Sequence, residues 1–228
     1  MAYKYYDIGL NLFTRSFPDP EKILADAHAA GIHPHSADEA QEEDVARIRE
    51  IILGNPRILA VGETGLDYDH MYSRKENQLH YFKELIELAE ELDKPLFLHE
   101  RDAEADFISC FKGHEKICEK SVVHCYTGDK ETLQTLLDMG FHIGITGWIC
   151  DERRADALRE AVSILPLDRV MIETDAPYLT PRGFKLPRTN APQNITYVAE
   201  GLAYYMGVSV EELVSHAKEN TERFWGIF

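Results

Sequence analysis

The sequence of 228 residues is poor in cysteine, and the spacing of its cysteines excludes the usual cysteine-based sites. Its four cysteines, Cys110, Cys118, Cys125 and Cys150, form neither a CxxC pair nor a zinc-ribbon pattern. We therefore expect reduced thiols rather than disulfide bonds or a structural zinc centre.

Long apolar runs are also missing. No stretch approaches the roughly 20 residues that a membrane helix requires. The first residues, MAYKYYDIGLNLF, show neither the apolar segment nor the small-residue cleavage site of a signal peptide. From these absences we expect a cytoplasmic protein that does not enter a membrane, and we favour a monomer.

Basic residues are outnumbered. There are 24 lysines and arginines against 40 aspartates and glutamates, which gives a net charge of −16. Such a balance argues against a protein that wraps a nucleic acid duplex with a basic face. It does not exclude a small site that binds phosphate through metal ions, because bound ions reverse the local charge.

What the sequence does contain is an alternation of short β-branched runs with helical patterns. The predicted strands are Tyr5–Leu12, Ile58–Glu63, Pro95–His99, Ser121–Cys125, Phe141–Thr146 and Val170–Thr174. The predicted helices are Pro20–Ala30, Asp38–Leu53, Lys75–Leu92, Asp102–Cys118, Lys130–Met139, Glu152–Leu165, Asn194–Met206 and Ser209–Asn220. This alternation indicates an α/β fold with a parallel sheet, either open or closed into a (β/α) barrel. No linker divides the chain, so we expect a single domain over residues 1–228.

Polar side chains follow the apolar strands where each predicted strand ends. Glu63, His99, His124 and Asp175 all occupy such positions, at the edge where parallel α/β folds place their sites. A single histidine there is usually only hydrogen-bonded in place, and a single aspartate is usually a helix cap. Taken together, however, these nitrogen and oxygen donors suit Zn²⁺, Mn²⁺ or Mg²⁺. Asp175 is then a metal ligand or a base for metal-bound water.

Four segments resemble one known family. VGETGLDYD at 61–69, LHERDA at 98–103, VVHCYTG at 122–128 and IETDAPYL at 172–179 are similar to motifs of the TatD family of metal-dependent deoxyribonucleases. The resemblance implies a (β/α)8 TIM-type barrel of the metal-dependent hydrolase kind. It also implies phosphodiester hydrolysis from DNA ends, as a 3′-to-5′ exonuclease that prefers single strands and serves DNA repair. Mg²⁺ is the cofactor that we favour, with Mn²⁺ and Zn²⁺ as alternatives.

The same resemblance implies roles for individual residues. Glu63 corresponds to the glutamate that can bridge two metal ions and takes part in catalysis, and His99 and His124 correspond to the histidines of one metal site. Asp175 corresponds to the aspartate that binds or activates the nucleophilic water. For Glu173 a purely structural role is as plausible as a functional one. The expected substrate contacts are His33, Arg101, Arg153 and Asn11.

Among the departures from the wider family, one concerns the metal ligands and another the length of the chain. Gly9 and Asn11 stand where relatives carry an HxH pair, so we expect one tightly bound ion and a second that binds weakly. After Gly31 the sequence runs straight into IHPHS, which leaves too little chain for a crossover between parallel strands. We therefore expect that one strand–helix unit is missing from the chain.

Two other functions stay open from the sequence. One is a metal-dependent amidohydrolase, or another hydrolase of amides, lactones or nucleobases, on the same barrel. The missing HxH pair and the absence of an evident carbamylated lysine at a strand end argue against it. The other is a non-catalytic barrel that only binds a partner.

Overall fold

The computed structural model of the protein describes residues 28–227, which fall into two compact units. The first unit contains the described residues up to Val123, and the second begins at His124. Within residues 28–227 no helix is both long enough and apolar enough to cross a bilayer. The prediction of a single domain over residues 1–228 stays a prediction.

The first unit alternates parallel strands with helices. A 3-10 turn, Pro34–Ser36, follows the first strand. The strands and helices in chain order are β1 Ala29–Ala30, α1 Asp44–Gly54, β2 Ala60–Asp67, α2 Lys75–Glu91, β3 Leu96–Arg101, α3 Glu104–Cys110, α4 Glu115–Cys118 and β4 Val122–His124, whose last residue opens the second unit. β1 pairs with β2 and β2 with β3, all in parallel.

Helix α2 shows how the pattern of apolar residues builds this unit. Phe82, Leu85, Ile86 and Ala89 are fully buried and recur with helical spacing, so they form one stripe. Full burial of each large member of this stripe stabilises the fold by about 1.5–3 kcal/mol. Phe82 also stacks on Phe107 of α3, with ring centroids 5.3 Å apart.

The second unit repeats the alternation. Its 3-10 turns are Gly147–Cys150, Val162–Ile164 and Pro192–Asn194. Its further elements in chain order are α5 Lys130–Asp138, β5 His142–Ile145, α6 Asp156–Ala161, β6 Val170–Ile172, α7 Ile195–Met206 and α8 Val210–Trp225. β5 and β6 are parallel and fully buried. Asn220 ties α8 to β6 by donating hydrogen bonds from Nδ2 to the carbonyls of Leu167 and Val170, each at 2.8 Å.

The five predicted strands that lie within the described residues are confirmed, with shifted ends. The largest shift is in β2, which was predicted to end at Glu63 and instead continues to Asp67. The predicted strand Tyr5–Leu12 lies outside the described residues. Helices Lys75–Leu92 and Lys130–Met139 are confirmed to within one residue at their C-terminal ends.

Three helix predictions were wrong in detail. The single helix predicted over Asp102–Cys118 is two short helices, separated around Gly113, whose φ of +89° no helix accommodates. The helix predicted from Glu152 begins only at Asp156, and the one predicted from Asp38 begins at Asp44. Asp151, which precedes the first of these predicted helices, is bound by arginines. Asp38, the first residue of the other, accepts a hydrogen bond from the backbone N–H of Arg74 at 3.0 Å.

The end of the predicted helix Pro20–Ala30 is also wrong, because Ala29 and Ala30 form strand β1. These alanines favour a helix intrinsically. Pairing with β2 overrides that preference: the carbonyl of His28 accepts a hydrogen bond from the N–H of Leu59 at 2.7 Å, and Ala29 pairs with Ala60. The segment IHPHS therefore begins just after the carboxyl end of β1, with only Gly31 between them.

All four cysteines are free, and burial raises the pKa of each thiol. The pKa rises to about 12 for Cys118 and Cys125 and to about 11 for Cys150. Because the thiolate is the reactive form, we expect iodoacetamide at pH 8 to alkylate the folded protein roughly 100-fold more slowly than free cysteine. Mass spectrometry over time measures the rate. In guanidinium chloride all four thiols should react, and rapid native labelling of Cys118 would contradict the expectation.

Candidate metal centre

A β-bulge in β2 positions Glu63. The pairing register of β2 with β3 passes from Gly62 opposite Phe97 to Thr64 opposite Leu98, so Glu63 is the extra residue. Bulges redirect side chains in this way. Glycine is required beside it: a Cβ on Gly62, whose φ is +147°, would lie 2.3 Å from the carbonyl oxygen of Phe97.

Glu63 meets two imidazoles in the first unit. Its Oε1 lies 3.0 Å from Nδ1 of His99 and 3.2 Å from Nε2 of His33. Donor atoms of His33, Glu63 and His99 all lie within 4.8 Å of one another, close enough to surround one metal ion. The predicted ligands Glu63 and His99 are thus brought together.

The hydrogen bonds of His33 show that its Nε2 is a hydrogen-bond donor. Its Nδ1 accepts a hydrogen bond from the backbone N–H of His35 at 3.1 Å, inside the 3-10 turn. A neutral ring that accepts at Nδ1 carries its proton at Nε2, the atom that faces Glu63. Burial lowers the pKa of His33, which favours this neutral form. His33 is therefore suited to donate to a carboxylate or phosphate rather than to bind a metal through Nε2.

Asp67 collects imidazoles around one buried oxygen. Its Oδ2 lies 2.6 Å from Nε2 of His35, 2.9 Å from Nδ1 of His70 and 3.1 Å from Nε2 of His99. Asp67 is fully buried. Burial raises the pKa of its carboxyl group, but the hydrogen bonds from His35 and His99 outweigh that effect and hold the pKa well below its usual range. His35, Asp67 and His99 form the second set whose donors are close enough for an ion.

The backbone of Asp67 is fixed by helix α2. The side-chain amide of Gln78 donates from Nε2 to the Asp67 carbonyl at 3.1 Å, and its Oε1 accepts the Asp67 N–H at 2.8 Å. Our sequence reasoning missed Asp67 because it ended the strand at Glu63. The available signal was the continuation TGLD, in which the apolar Leu66 and a terminal carboxylate extend the same strand.

The second unit contains a comparable pair. Nδ1 of His124 lies 3.2 Å from Oε2 of Glu173, and both side chains are buried. Oε1 of Glu173 accepts the backbone N–H of Cys125. The bare Cα of Gly144 makes room for this carboxylate, since a Cβ there would lie 2.4 Å from Oε1 of Glu173. Glu173 is thus held in a position from which it orients the ring of His124.

Asp175 follows β6 in the left-handed backbone region, with φ of +51°. The pKa of Cys125 is raised mainly by the burial of its thiol and then by the negative charge of Asp175. Arg101 lies 3.7 Å from Asp69 through its Nε, and Arg153 is held on Asp151. Asn11, with Gly9, lies outside the described residues.

Both histidines predicted as metal ligands therefore have a buried carboxylate partner. His99 contacts Asp67 through Nε2, and His124 contacts Glu173 through Nδ1. A carboxylate on one imidazole nitrogen fixes the tautomer and leaves the other nitrogen as a lone-pair donor, as is usual for metal-binding histidines. For His99 that other nitrogen, Nδ1, is the one beside Glu63. The donor chemistry accordingly fits a divalent ion.

Comparison with known proteins gives consistent results. Residues 22–226 match the family model described as TatD related DNase. A protein of Erwinia amylovora named 3′-5′ ssDNA/RNA exonuclease TatD is 39% identical over 201 residues, which cover 87% of this chain and 77% of the relative. A protein of Pantoea ananatis with the same name is 38% identical over 259 residues, covering 97% of this chain and 99% of the relative.

A solved structure extends the likeness to the fold. The crystal structure of YjjV, a TatD homologue from Escherichia coli K12, superimposes with a TM-score of 0.83 at 25% identity, over 92% of this chain and 83% of that one. The predicted fold class, an α/β fold of the TIM-type metal-dependent hydrolase kind, is confirmed.

The expected absence of one strand–helix unit after Gly31 stays a prediction, but the alignment shows that the chain lacks some residues of a relative. The comparison with the Pantoea ananatis protein extends over 259 positions, more than the 228 residues that this chain can supply. Part of that relative is therefore unmatched here. With the family model covering most of the sequence and curated relatives above 30% identity, the chain belongs to the family of TatD-related DNases.

Proposed function

We propose that this protein is a divalent-metal-dependent exonuclease that hydrolyses phosphodiester bonds from the 3′ end of single-stranded DNA. The observation that supports it best is the pairing of His99 and His124 with the buried carboxylates Asp67 and Glu173. The curated relatives carry the name 3′-5′ ssDNA/RNA exonuclease, so RNA is a further substrate to test.

The proposed metal ligands are Glu63, His99, His124 and Asp175, as the family motifs imply. Mg²⁺ is the proposed ion, with Mn²⁺ and Zn²⁺ as alternatives. A bound divalent ion would lower the pKa of water and polarise a phosphoryl oxygen. We keep the proposal that one ion binds tightly and a second weakly, because Gly9 has no ligand atom and Asn11 is neutral.

Proton transfer and phosphate binding are proposed to be carried out by side chains. Asp175 is proposed to accept the proton of the attacking water, as a general base. Nε2 of His33, which bears a proton and faces Glu63, can donate a hydrogen bond to a phosphate oxygen when substrate is present. Arg101 and Arg153 are proposed as further phosphate contacts. Asn11 is proposed as a substrate contact from the sequence alone.

Amide hydrolysis and a purely binding role are not favoured by any contact in the described residues. A cytoplasmic location, a monomeric state and a part in DNA repair stay predictions from the sequence.

End-labelled oligonucleotides test the reaction directly. With Mg²⁺, single-stranded DNA labelled at its 5′ end should shorten as a ladder, whereas a 3′ label should appear at once as mononucleotide. EDTA should stop both reactions, and duplex DNA of the same sequence should be cut more slowly. Gel electrophoresis over time reads the products. Internal cuts from the first time point, or full turnover in EDTA, would overturn the proposal.

Substitution of the ligands is the second test. His99→Ala and His124→Ala should each lower kcat/KM by more than about 100-fold, since even the loss of partners behind the ligands costs about 10–100-fold. The control is His80→Ala on α2, whose side chain is half exposed, lies 3.6 Å from Glu84 and touches the ring of Tyr81. Circular dichroism checks that the variants fold. Wild-type turnover in His124→Ala would remove it from the metal site.

Asp67 provides a test that needs no turnover. Asp67→Asn keeps the size of the side chain but can no longer accept at both oxygens, so His99 loses its fixed tautomer. We expect metal affinity, measured by calorimetric titration, to fall by about 10–100-fold. Asp93→Asn, at a position 92% exposed, is the matched control. Equal affinity in Asp67→Asn and the control would show that Asp67 does not orient a ligand.

A further inference from the structure

An arginine-lined cleft of about 250 Å³ lies in the second unit. Its walls include Trp148, Arg154, Thr180, Arg182 and Arg188. We call it the arginine cleft. A second cleft of about 310 Å³ adjoins it, shares Thr180, Arg182 and Arg188, and adds Phe184. The surface is locally cationic in a chain whose net charge is −16.

One buried carboxylate organises the arginines. Asp151 is 3% exposed. Its Oδ2 lies 2.7 Å from Nη2 of Arg153, 3.2 Å from Nε of Arg154 and 3.3 Å from Nε of Arg182. A single carboxylate cannot neutralise three guanidinium groups, and each guanidinium has five N–H donors. Positive charge and donors are therefore in excess, held in place before a ligand arrives.

The two wall segments meet because of a glycine. A Cβ on Gly147 would lie 2.4 Å from the carbonyl oxygen of Leu179 and 3.0 Å from Cγ of Pro181. The absence of that atom lets the loop at 179–182 pack against the 3-10 turn Gly147–Cys150. This contact brings Arg182 and Trp148 to the same cleft.

Aromatic rings alternate with the arginines. The guanidinium carbon of Arg154 lies 3.9 Å from the centre of the Trp148 ring, a cation–π contact that holds the guanidinium against the ring. In the adjoining cleft Phe184, 40% exposed, packs on Tyr197 with ring centroids 4.4 Å apart. Guanidinium planes and exposed rings both offer stacking faces to unpaired bases, and arginine forks bind phosphate in two places at once.

We propose that the arginine cleft binds an internucleotide phosphate of single-stranded nucleic acid on the 5′ side of the bond that is cut, with the neighbouring base near Phe184. This rests on the proposed nuclease function, which it deepens. An exonuclease that cuts at the 3′ end must accommodate the rest of its strand somewhere on its surface. Within residues 28–227 the cleft combines fixed arginines with stacking faces, as non-specific single-strand sites do.

The chain length between the cleft and the proposed base fits this role. Thr180 follows Asp175 by five residues, which can span at most about 18 Å even when fully extended. The cleft wall therefore lies close enough to Asp175 for neighbouring nucleotides of one strand to reach both. Arg153, already proposed as a phosphate contact, shares the Asp151 carboxylate with Arg154 and Arg182.

The test is binding without turnover. A fluorescent twelve-nucleotide oligothymidylate is titrated in EDTA, and anisotropy gives Kd at several salt concentrations. Arg182→Ala and Arg154→Ala should each weaken binding by about 5–10-fold. The slope of log K against log salt should fall by about 0.7 for each lost phosphate contact. Arg154→Lys, which keeps the charge but loses the flat fork, should fall between Arg154→Ala and wild type.

Arg223→Ala is the matched control, because Arg223 is exposed in the last turn of α8 and outside both clefts. It should leave Kd and salt slope unchanged. In Mg²⁺, the ratio of kcat/KM for the twelve-mer to that for a dinucleotide should fall in Arg182→Ala but not in Arg223→Ala. Wild-type Kd and slope in Arg182→Ala and Arg154→Ala would overturn the cleft assignment. Tight, cleft-dependent binding with no hydrolysis in Mg²⁺ would instead sink the nuclease proposal alone.

Discussion

The buried carboxylate of Asp67 is the interaction on which the first unit's site depends. Moving a carboxylate out of water costs several kcal/mol even after relaxation, so it persists only where donors surround it. Here they are the N–H of His70 at 2.8 Å on Oδ1 and three imidazole nitrogens on Oδ2. One side chain thereby joins the turn after β1, the end of β2 and the middle of β3. The backbone places the histidines near one another, and the Asp67 carboxylate orients their imidazole rings.

Asp67 also explains how one short sequence, GETGLD, can serve both structure and chemistry. The bulge at Glu63 turns that carboxylate toward His33 and His99, while the strand continues beyond it to Asp67. The two carboxylates then approach His99 from its two nitrogens, Glu63 at Nδ1 and Asp67 at Nε2. Asp67 is fully buried and Glu63 is not. With a divalent ion bound beside Glu63, His99 would carry its proton at Nε2, toward Asp67, and offer the lone pair of Nδ1 to the ion.

The sequence predicted what apolar runs can predict. β-branched runs located five strands, and the polar residues after them located Glu63, His99 and the buried His124. It failed where tertiary contacts override local preference. Ala29 and Ala30 look helical until β2 pairs with them, and β2 itself was predicted to end at Glu63 although it continues to Asp67. Asp67 was missed for that reason. The functional side chains were predictable from their type, whereas the carboxylates behind them depended on a strand end that only the fold reveals.

The same arrangement, a buried carboxylate beneath basic side chains, occurs in both units. Asp67 holds imidazoles, Glu173 holds His124, and Asp151 holds three arginines, and each carboxylate is nearly or fully buried. In each case burial concentrates the field of one negative charge on a few cationic or donor groups, because the surrounding dielectric is low. The groups so held present their remaining donors or lone pairs outward. A chain with a large excess of acidic residues can therefore offer surfaces that attract phosphate. The acids that matter lie beneath the cationic groups, while the more numerous exposed acids are screened by solvent and salt.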